Sequence, residues 1–450
     1  MPSVVLISTY ELGHQPMGLA LPAAFLAREG VEARCLDLAV EDLDEAAIAQ
    51  ARFVGISVPM HTALRLACGV ARRVRAINGS CTLCFFGLYA PLNRELLIAN
   101  GASLVLGGEY DEELARAARS ALAEIELPSV APPPILRKLR FPVARRDGLP
   151  PLDRYAKLLT GGEERVAGYT EASRGCLRWC LHCPVPAVYS GRFFVVPVDT
   201  VLEDVAAQVA MGARHITFGD ADFLNGPGHS LAVVRRMRER FPGVSFDFTA
   251  KVEHLLRHRA VLPEMARSGC AFVVTALESL SDEVLGQLEK GHTRADALEL
   301  FDITRDLGLT LRPSFIPFTP WSTLDDYLDL VDLIAARDLV CAVDAVQLTI
   351  RLLLPPGSLL LPRVKGAPWL GELDPAALAY RWRHPDPRMD LLHRHVESIA
   401  RRAAAAGEDP AATFDHIRSA ARSVVGLGPA PSTSLRSTHF QPRLSEPWFC

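Results

Sequence analysis

The sequence has no excess of basic residues and no long uncharged apolar stretch. Its 450 residues include 48 Lys and Arg against 52 Asp and Glu, which gives a net charge of −4. A protein that neutralises a phosphate backbone needs surplus positive charge, so nucleic acid is not an expected partner. A membrane span needs roughly 18 or more consecutive apolar residues, and the longest apolar runs here are only strand-sized, so we expect no membrane association.

The N-terminus also lacks the basic flank, apolar run and small-residue cleavage site of a signal peptide, which predicts a cytoplasmic protein. Ten cysteines are present, and three of them fall within eight residues. In a reducing compartment such a cluster indicates a metal site rather than disulfides. The length predicts two domains with additional segments.

Short β-branched runs alternate with helical patterns over residues 1–125, which predicts a doubly wound parallel α/β domain. The expected strands are Val4–Ser8, Ala33–Leu38, Phe53–Val58, Cys81–Phe86 and Leu104–Leu106. Residues 126–164 begin with a proline-rich, aperiodic stretch, so this segment is the expected linker.

A second alternating series over residues 165–365 predicts a partial (βα)6 barrel, because six units are too few for a closed eightfold barrel. Its expected strands are Tyr169–Ser173, His215–Phe218, Ser245–Ala250, Ala271–Ala276, Thr310–Ile316 and Ala345–Ile350. Residues 366–450 are expected to form a helical extension, helical over 370–424, and a tail that ends in Cys450. Barrels of this kind carry their chemistry on loops at the carboxyl ends of the strands.

The chemistry-bearing motif follows the first expected barrel strand. Cys176, Cys180 and Cys183 are spaced C-x3-C-x2-C. Three thiolates on one loop suit three irons of a 4Fe–4S cubane and leave the fourth iron open. The alternative is a zinc site, but zinc needs four ligands and His182, next to Cys183, is poorly placed to be the fourth.

This motif resembles the signature of the radical S-adenosylmethionine (SAM) superfamily, with His182 where an aromatic residue is usual. The resemblance implies that the open iron binds SAM, that a flavodoxin- or ferredoxin-type protein donates the electron, and that a small molecule is the substrate. It also implies a SAM site on the later strand ends, with candidate contacts at Gly219, Asp220, Asp222, Glu278, Ser279 and Ser314.

Two further groups follow barrel strands. Lys251 and Glu253 follow the third strand, where they are expected to face the cavity and are the candidate catalytic residues. His254 and His258 are one helical turn apart. They either bind a metal or transfer protons, or they belong to a solvated helix start. Residues 290–294 either reach the mouth of the site or form a charged turn.

The barrel segment is more specifically similar to the CUAEP/CCAEP-tail radical SAM family, named for a C-terminal cysteine or selenocysteine motif. Here the tail reads RLSEPWFC, so only Cys450 remains as a candidate catalytic thiol. Enzymes related to this group act in arsinothricin biosynthesis. The resemblance therefore implies a radical SAM enzyme of specialised metabolism, most simply a transferase that moves a 3-amino-3-carboxypropyl group to trivalent arsenic, with generation of a 5′-deoxyadenosyl radical as the other option.

The N-terminal domain resembles the cobalamin-binding domains that are fused to radical SAM barrels. Gly107-Gly108 near its end fits that pattern, but the loop that carries a histidine ligand to cobalt is missing. Cobalamin is therefore a possible cofactor without a ligand motif to support it. Two alternatives to the main hypothesis follow: a cobalamin-dependent radical SAM methyltransferase, and a non-catalytic Fe–S or zinc protein.

Overall fold

The structure is a computed structural model that describes residues 3–125, 133–428 and 441–446. Within these ranges, none of the helices has the length and apolar character needed to cross a bilayer.

The N-terminal domain is a five-stranded parallel sheet with strand order β2-β1-β3-β4-β5 and helices on both faces. Its elements are β1 (Val4–Ser8), α1 (Met17–Arg28), β2 (Ala33–Asp37), α2 (Glu45–Gln50), β3 (Phe53–Ser57), α3 (His61–Ile77), β4 (Thr82–Phe86), α4 (Arg94–Ala99), β5 (Leu104–Leu106) and α5 (Asp111–Leu122). Strands β1, β3 and β5 are buried along their whole length, because helices cover both sheet faces. Each predicted strand lies within one residue of its predicted bounds.

The barrel is an open, curled sheet in which β13, β12, β11, β10 and β7 are parallel neighbours and β6 joins β7 antiparallel. Its elements are β6 (Lys157–Thr160), β7 (Glu163–Thr170), β8 (Ser173–Gly175), α6 (Pro184–Tyr189), β9 (Phe193–Val195), α7 (Val198–Ala210), β10 (His215–Phe218), α8 (Pro227–Arg240), β11 (Ser245–Ala250), α9 (Val252–Arg257), α10 (Leu262–Arg267), β12 (Cys270–Glu278), α11 (Asp282–Gln287), α12 (Arg294–Asp306), β13 (Thr310–Phe315) and α13 (Leu324–Ala336). Helices α12 and α13 each begin with a capping box, in which a Thr and an Asp three residues later exchange hydrogen bonds.

The sixth predicted strand, Ala345–Ile350, is wrong. Residues Ala345–Leu348 form a 3-10 turn, and parallel pairing is reduced to one bridge between Phe318 and Arg351. The side chain of Gln347 explains the difference, because its Oε1 accepts a hydrogen bond from the Phe315 N–H at 3.1 Å. A side chain thus satisfies the strand-edge donor that a sixth strand would have paired.

The C-terminal region also departs from the prediction of continuous helix from residue 370. Its elements are α14 (Leu361–Val364), β14 (Leu370–Asp374), β15 (Ala379–Trp382), α15 (Pro387–Ala406), α16 (Pro410–Val424) and β16 (Arg443–Leu444). Residues 370–382 form an antiparallel hairpin, fixed where Trp382 Nε1 donates to the Leu352 carbonyl at 2.8 Å and Arg351 lies 3.6 Å from the Trp382 ring centroid. Strand β16 pairs antiparallel with β6, so the end of the chain returns to the barrel sheet.

The two α/β units share one hydrophobic core. A single cluster of buried side chains runs from Val4 and Leu106 in the N-terminal sheet to Phe218 and Phe315 in the barrel. Arg146, in the segment that was predicted as a linker, is buried between the units and forms an ion pair with Asp204 of α7. The barrel is therefore held in a fixed position against the N-terminal domain.

Candidate active site

The cysteine motif occupies the loop between β8 and α6. Strand β8 forms a separate two-stranded sheet with β9 and follows shortly after the carboxyl end of β7, the first parallel strand of the barrel sheet. Strand β8 ends at Gly175, whose φ is +81°, and a Cβ there would lie 2.3 Å from the Arg192 carbonyl oxygen. Only glycine fits this turn, so β8 delivers the chain directly into Cys176. Strand β9 pairs with β8 and holds the base of the loop.

The loop buries its sulfur atoms and gives them polar neighbours. Cys176 and Cys180 are 7% and 6% exposed. The Arg178 N–H donates to Cys176 Sγ at 3.5 Å, and Asn225 Oδ1 lies 3.7 Å from the same sulfur. Burial raises the pKa of the Cys176 thiol and raises that of Cys183 to about 12. Binding of a positively charged metal centre would offset that cost, because coordination deprotonates a thiol outright.

A single-ion site is not supported by the geometry. The described ranges contain no group of three or more His, Cys, Asp or Glu side chains that could hold one metal ion. The three-thiol donor set on a single loop fits an iron–sulfur cubane, which spreads its ligands over several irons.

A buried ion pair lies beside the cysteine loop. Lys290 Nζ is 3.0 Å from Glu278 Oε1, and His182 Nε2 is 3.3 Å from the same oxygen. Burial opposes ionisation of Glu278, but Lys290 and His182 hold its pKa well below the ordinary value. Burial opposes the charge of Lys290, but the negative charge of Glu278, followed by the charges of Cys180 and Cys183, raises the pKa of its ammonium group. Residue 290 therefore belongs to the site rather than to a charged surface turn.

A second chain of contacts joins the loop to α9. Arg178 contacts Glu253 Oε1 at 3.0 Å and donates from Nε to His254 Nε2 at 2.7 Å. His254 Nδ1 lies 2.8 Å from Asp222 Oδ2, which also accepts the Lys251 N–H. His254 is 2% exposed, so the solvated-helix interpretation is wrong for this residue.

The two aspartates that follow β10, Asp220 and Asp222, have different surroundings. Asp222 caps the turn at Leu224 with its other oxygen, so both of its oxygens are engaged by the protein. Asp220 accepts from the Ala172 N–H and the Ser173 hydroxyl, and burial raises its pKa to about 7.

A cavity of about 250 Å³ opens inside the barrel next to Asp220. Polar groups in its wall include His14, Thr217, Asp220, Asp247, Arg312, Ser314, Asp344 and Glu446. Arg312 is paired with Asp344 at 3.0 Å, and Asp247 accepts from His215 at 2.7 Å. Burial lowers the pKa of His14 to about 4, so its imidazole is neutral near pH 7.

The predicted site residues fall into two neighbouring groups. His182, Glu278, Lys251 and Glu253 lie around the cysteine loop, whereas Gly219, Asp220 and Ser314 line the cavity. Ser279 is buried and accepts a local hydrogen bond from the Ser281 N–H. Cys450 lies outside the described residues.

Several contributors to the site were not predicted, among them Asp247, Arg312 and Glu446. Asp247 had a readable signal, since Ser245, Asp247 and Thr249 alternate with Phe along β11 and so share one face. The sequence contains no comparable signal for Glu446, because the position of this residue depends on the pairing of β16 with β6.

Residues 170–334 match the radical SAM superfamily. Among relatives, the ribosomal protein uS12 methylthiotransferase RimO of Porphyromonas gingivalis is 29% identical over 182 residues, which are 38% of this chain and 41% of the relative. An uncharacterized methyltransferase of Pyrococcus horikoshii is 23% identical over 335 residues, 69% of this chain and 71% of the relative. The chain spans about two fifths of the length of the methylthiotransferases it matches.

Two solved structures share the fold. The cobalamin-dependent SAM radical enzyme OxsB superposes with a TM-score of 0.70 and 15% identity, covering 90% of this chain and 67% of OxsB. The radical SAM methyltransferase TsrM of Kitasatospora setae superposes with a TM-score of 0.63 and 16% identity, covering 86% and 84%.

These matches confirm the predicted fold class, an N-terminal doubly wound domain followed by a partial radical SAM barrel with an extension. They also confirm the prediction that the chain is an enzyme. OxsB is recorded with cobalamin and SAM, and TsrM with cobalamin and a 4Fe–4S cluster.

Proposed function

We propose that this chain, whose residues 170–334 form a radical SAM domain, cleaves SAM reductively and transfers a SAM-derived group to a small acceptor. The observation that carries the proposal is the cysteine loop, which presents Cys176, Cys180 and Cys183 directly after β8. When bound, a 4Fe–4S cluster supplies the electron that breaks a carbon–sulfur bond of SAM, with a flavodoxin- or ferredoxin-type donor upstream.

The protein side chains hold and insulate the reacting groups. Lys290 places a positive charge beside Cys180 and Cys183, which offsets the negative charge of buried thiolates. Asp220 and Ser314 face the cavity and are the proposed contacts for the SAM amino group and adenine, respectively. Asp222 is a positioning residue, because it orients Lys251 and His254 through hydrogen bonds.

Within this proposal, the specific reaction is transfer of the 3-amino-3-carboxypropyl group to trivalent arsenic. One electron splits SAM into 5′-methylthioadenosine and a carbon radical. Addition of the radical to arsenite, followed by a second electron and a proton, gives a trivalent organoarsenical and water. The resemblance of the barrel motifs supports this reaction. Cys450, the one cysteine that the altered tail keeps, is the thiol proposed to hold the arsenic.

A second candidate is cobalamin-dependent methylation, which is favoured by the fold shared with OxsB and TsrM. It makes a different demand on the structure, because a corrinoid must fit between the N-terminal domain and the barrel.

The nucleoside product distinguishes these reactions. Anaerobically purified and reconstituted protein is incubated with SAM, dithionite and arsenite, and the products are identified by mass spectrometry. We expect 5′-methylthioadenosine in step with an arsenic-containing amino acid. 5′-Deoxyadenosine alone would indicate the adenosyl radical, and S-adenosylhomocysteine with 5′-deoxyadenosine would indicate methylation.

Iron content provides the test of the cysteine loop. We expect Cys180→Ser to lose both iron and visible absorption, whereas Cys341→Ser, at a cysteine of the described chain far from the motif in sequence, should keep them. Zinc in place of iron in the wild type, with no SAM cleavage, would overturn the proposal.

A further inference from the structure

The carboxyl edge of the N-terminal sheet is where a doubly wound domain holds its ligand. In the parallel strand order β2-β1-β3-β4-β5 the direction in which successive strands are added to the sheet reverses between β1 and β3, and ligands of such sheets bind in the crevice outside this point. A corrinoid bound by this domain would need that crevice and the space between it and the barrel.

The crevice is filled at β1 and β3 by the side chain of Glu11. Its carboxyl group accepts the N–H groups of Met17 and Gly18 at the start of α1, at 3.0–3.3 Å. These are the backbone donors that an anionic ligand would use. Helix α1 also lies directly on β3, since a Cβ on Gly18 would be 2.4 Å from Ser57 Oγ.

The end of β5 is filled by the chain itself. The Ile135 N–H donates to the Gly107 carbonyl at 2.9 Å, and the Glu109 N–H donates to the Ile135 carbonyl at 2.7 Å. A Cβ on Gly108 would be 2.2 Å from the Ile135 oxygen. Gly108 therefore makes room for the chain at Ile135, whereas Gly107, whose Cβ would lie 2.5 Å from Pro91 Cγ, makes room for Pro91.

The surface that faces the barrel is closed by direct contacts. Arg174, just before the cysteine loop, forms an ion pair with Asp111 at 2.6 Å. Tyr189 of α6 donates to Glu109 Oε1 at 3.1 Å, and the His14 ring lies 4.7 Å from the Tyr169 ring. The barrel cavity has a volume of about 250 Å³. Pockets for drug-sized ligands have volumes of about 300–1,000 Å³, and a corrinoid with its nucleotide tail is larger than such ligands.

Five buried oxygen atoms along this edge have no protein partner within the described ranges. They belong to Ser8, Ser57, Asn93, Glu109 and Asp111. Isolated buried polar atoms of this kind are commonly satisfied by single ordered waters. The neighbouring crevice is occupied by Glu11, Gly18 and the chain at Ile135, so single waters, which need little space, would satisfy these atoms without a corrinoid.

The loop between β1 and α1 contacts the barrel cavity instead. Leu12 and His14 line the cavity wall. The same loop holds the end of the chain, because Tyr10 Oη donates to Glu446 Oε1 at 2.9 Å and a Cβ on Gly13 would lie 2.7 Å from the Glu446 side chain. A loop that holds a cofactor in related folds here forms part of the cavity wall.

We propose that the N-terminal domain binds no corrinoid and serves, through Leu12 and His14, as a fixed wall of the barrel cavity. The domain is a structural part of the active site rather than a cofactor carrier. The part of this proposal that concerns turnover rests on the proposed SAM cleavage, but the part that concerns corrinoid binding does not.

Corrinoid binding is measured on the full-length protein with two probes, hydroxocobalamin and dicyanocobinamide, which lacks the nucleotide tail. After incubation and gel filtration, cobalt in the protein peak is measured by mass spectrometry together with the visible spectrum. We expect no cobalt with either probe. Stoichiometric cobalt with hydroxocobalamin would overturn the proposal, and cobalt with dicyanocobinamide alone would overturn the closed interface.

The wall is tested by Leu12→Trp, which places bulk in the cavity. We expect at least a tenfold loss of SAM cleavage with unchanged iron content and melting temperature. The matched control is Leu66→Trp, at an exposed position on α3 of the same domain, which should behave as wild type. Wild-type cleavage by Leu12→Trp would overturn the wall assignment. Absence of cleavage in the wild type itself would refute the proposed function, while the cobalt measurement would still decide the corrinoid question.

Discussion

Replacing Arg146 should show how much the buried ion pair between the two domains contributes to the stability of the protein, in comparison with an exposed ion pair on the surface. Its guanidinium contacts both oxygens of Asp204, at 2.7 and 2.9 Å, and it donates to Gln15 Oε1 and the Tyr169 carbonyl. The side chains of Arg146 and Asp204 are only 2% and 3% exposed. We predict that Arg146→Met strongly destabilises the protein.

The magnitude follows from the charge that is left behind. Breaking a buried ion pair by removing one partner costs about 3–5 kcal/mol. Asp204 keeps hydrogen bonds from Thr170 Oγ1 at 2.7 Å and Gln208 Nε2 at 3.1 Å, so we expect the lower end of that range. A loss of about 3 kcal/mol corresponds to a change of roughly 150-fold in the unfolding equilibrium.

The assay is guanidinium unfolding followed by circular dichroism, with two comparison variants. Arg145→Met removes the neighbouring arginine, whose partners Glu32 and Asp147 are well exposed, and should cost no more than about 1 kcal/mol. Arg146→Met combined with Asp204→Leu should recover most of the loss, because no buried charge then lacks a partner. The reasoning is refuted if Arg146→Met is no less stable than Arg145→Met, or if the double variant is as unstable as the sum of the single ones.

Three further predictions concern other buried groups. Burial raises the pKa of Glu11 from 4.5 to about 8, so its contribution to stability is present at acid pH and is lost as pH rises towards 8. The unfolding free energy of Glu11→Gln relative to that of the wild type should therefore rise by up to about 1.4 kcal/mol per pH unit over this window. A difference that stays constant with pH would contradict the raised pKa. A Cβ on Gly219 would lie 1.9 Å from Tyr169 Oη and 2.1 Å from Tyr169 Cζ, so Gly219→Ala should cost about 1–3 kcal/mol in thermal unfolding. In the Tyr169→Leu background, which lacks the ring, the same substitution should cost less. The positive charge of Lys290 lies near Cys180 and Cys183, so Lys290→Met should lower the reduction potential of the reconstituted cluster. The potential is measured in a redox titration followed by electron paramagnetic resonance, and an unchanged value would count against the electrostatic role of Lys290.

Sequence reasoning worked where the signal is local. The five N-terminal strands are apolar runs that end at turn residues, and the structure has each within one residue of its predicted bounds. It failed at Ala345–Ile350, where an apolar run with strand character forms a 3-10 turn because Gln347 caps the edge of β13. It also failed at residues 370–382, where a hairpin forms because Trp382 packs on Arg351. In both places a distant contact outweighs local preference.

The candidate site divides in the same way. The spacing of Cys176, Cys180 and Cys183 predicted a metal-binding loop at a strand end, because ligand spacing on one loop is a property of neighbouring residues. The sequence could not show that Glu446 lies beside Gly13, at the opposite end of the described chain.

By itself, the sequence determined the fold class, the positions of the N-terminal strands and the presence of a thiol-rich loop. Only the tertiary structure decided the partners of Glu278 and Glu11, the composition of the cavity wall and the closed surface between the two domains. Each of these depends on side chains from distant segments packing together, and packing energy is set by the whole fold rather than by any local run of residues.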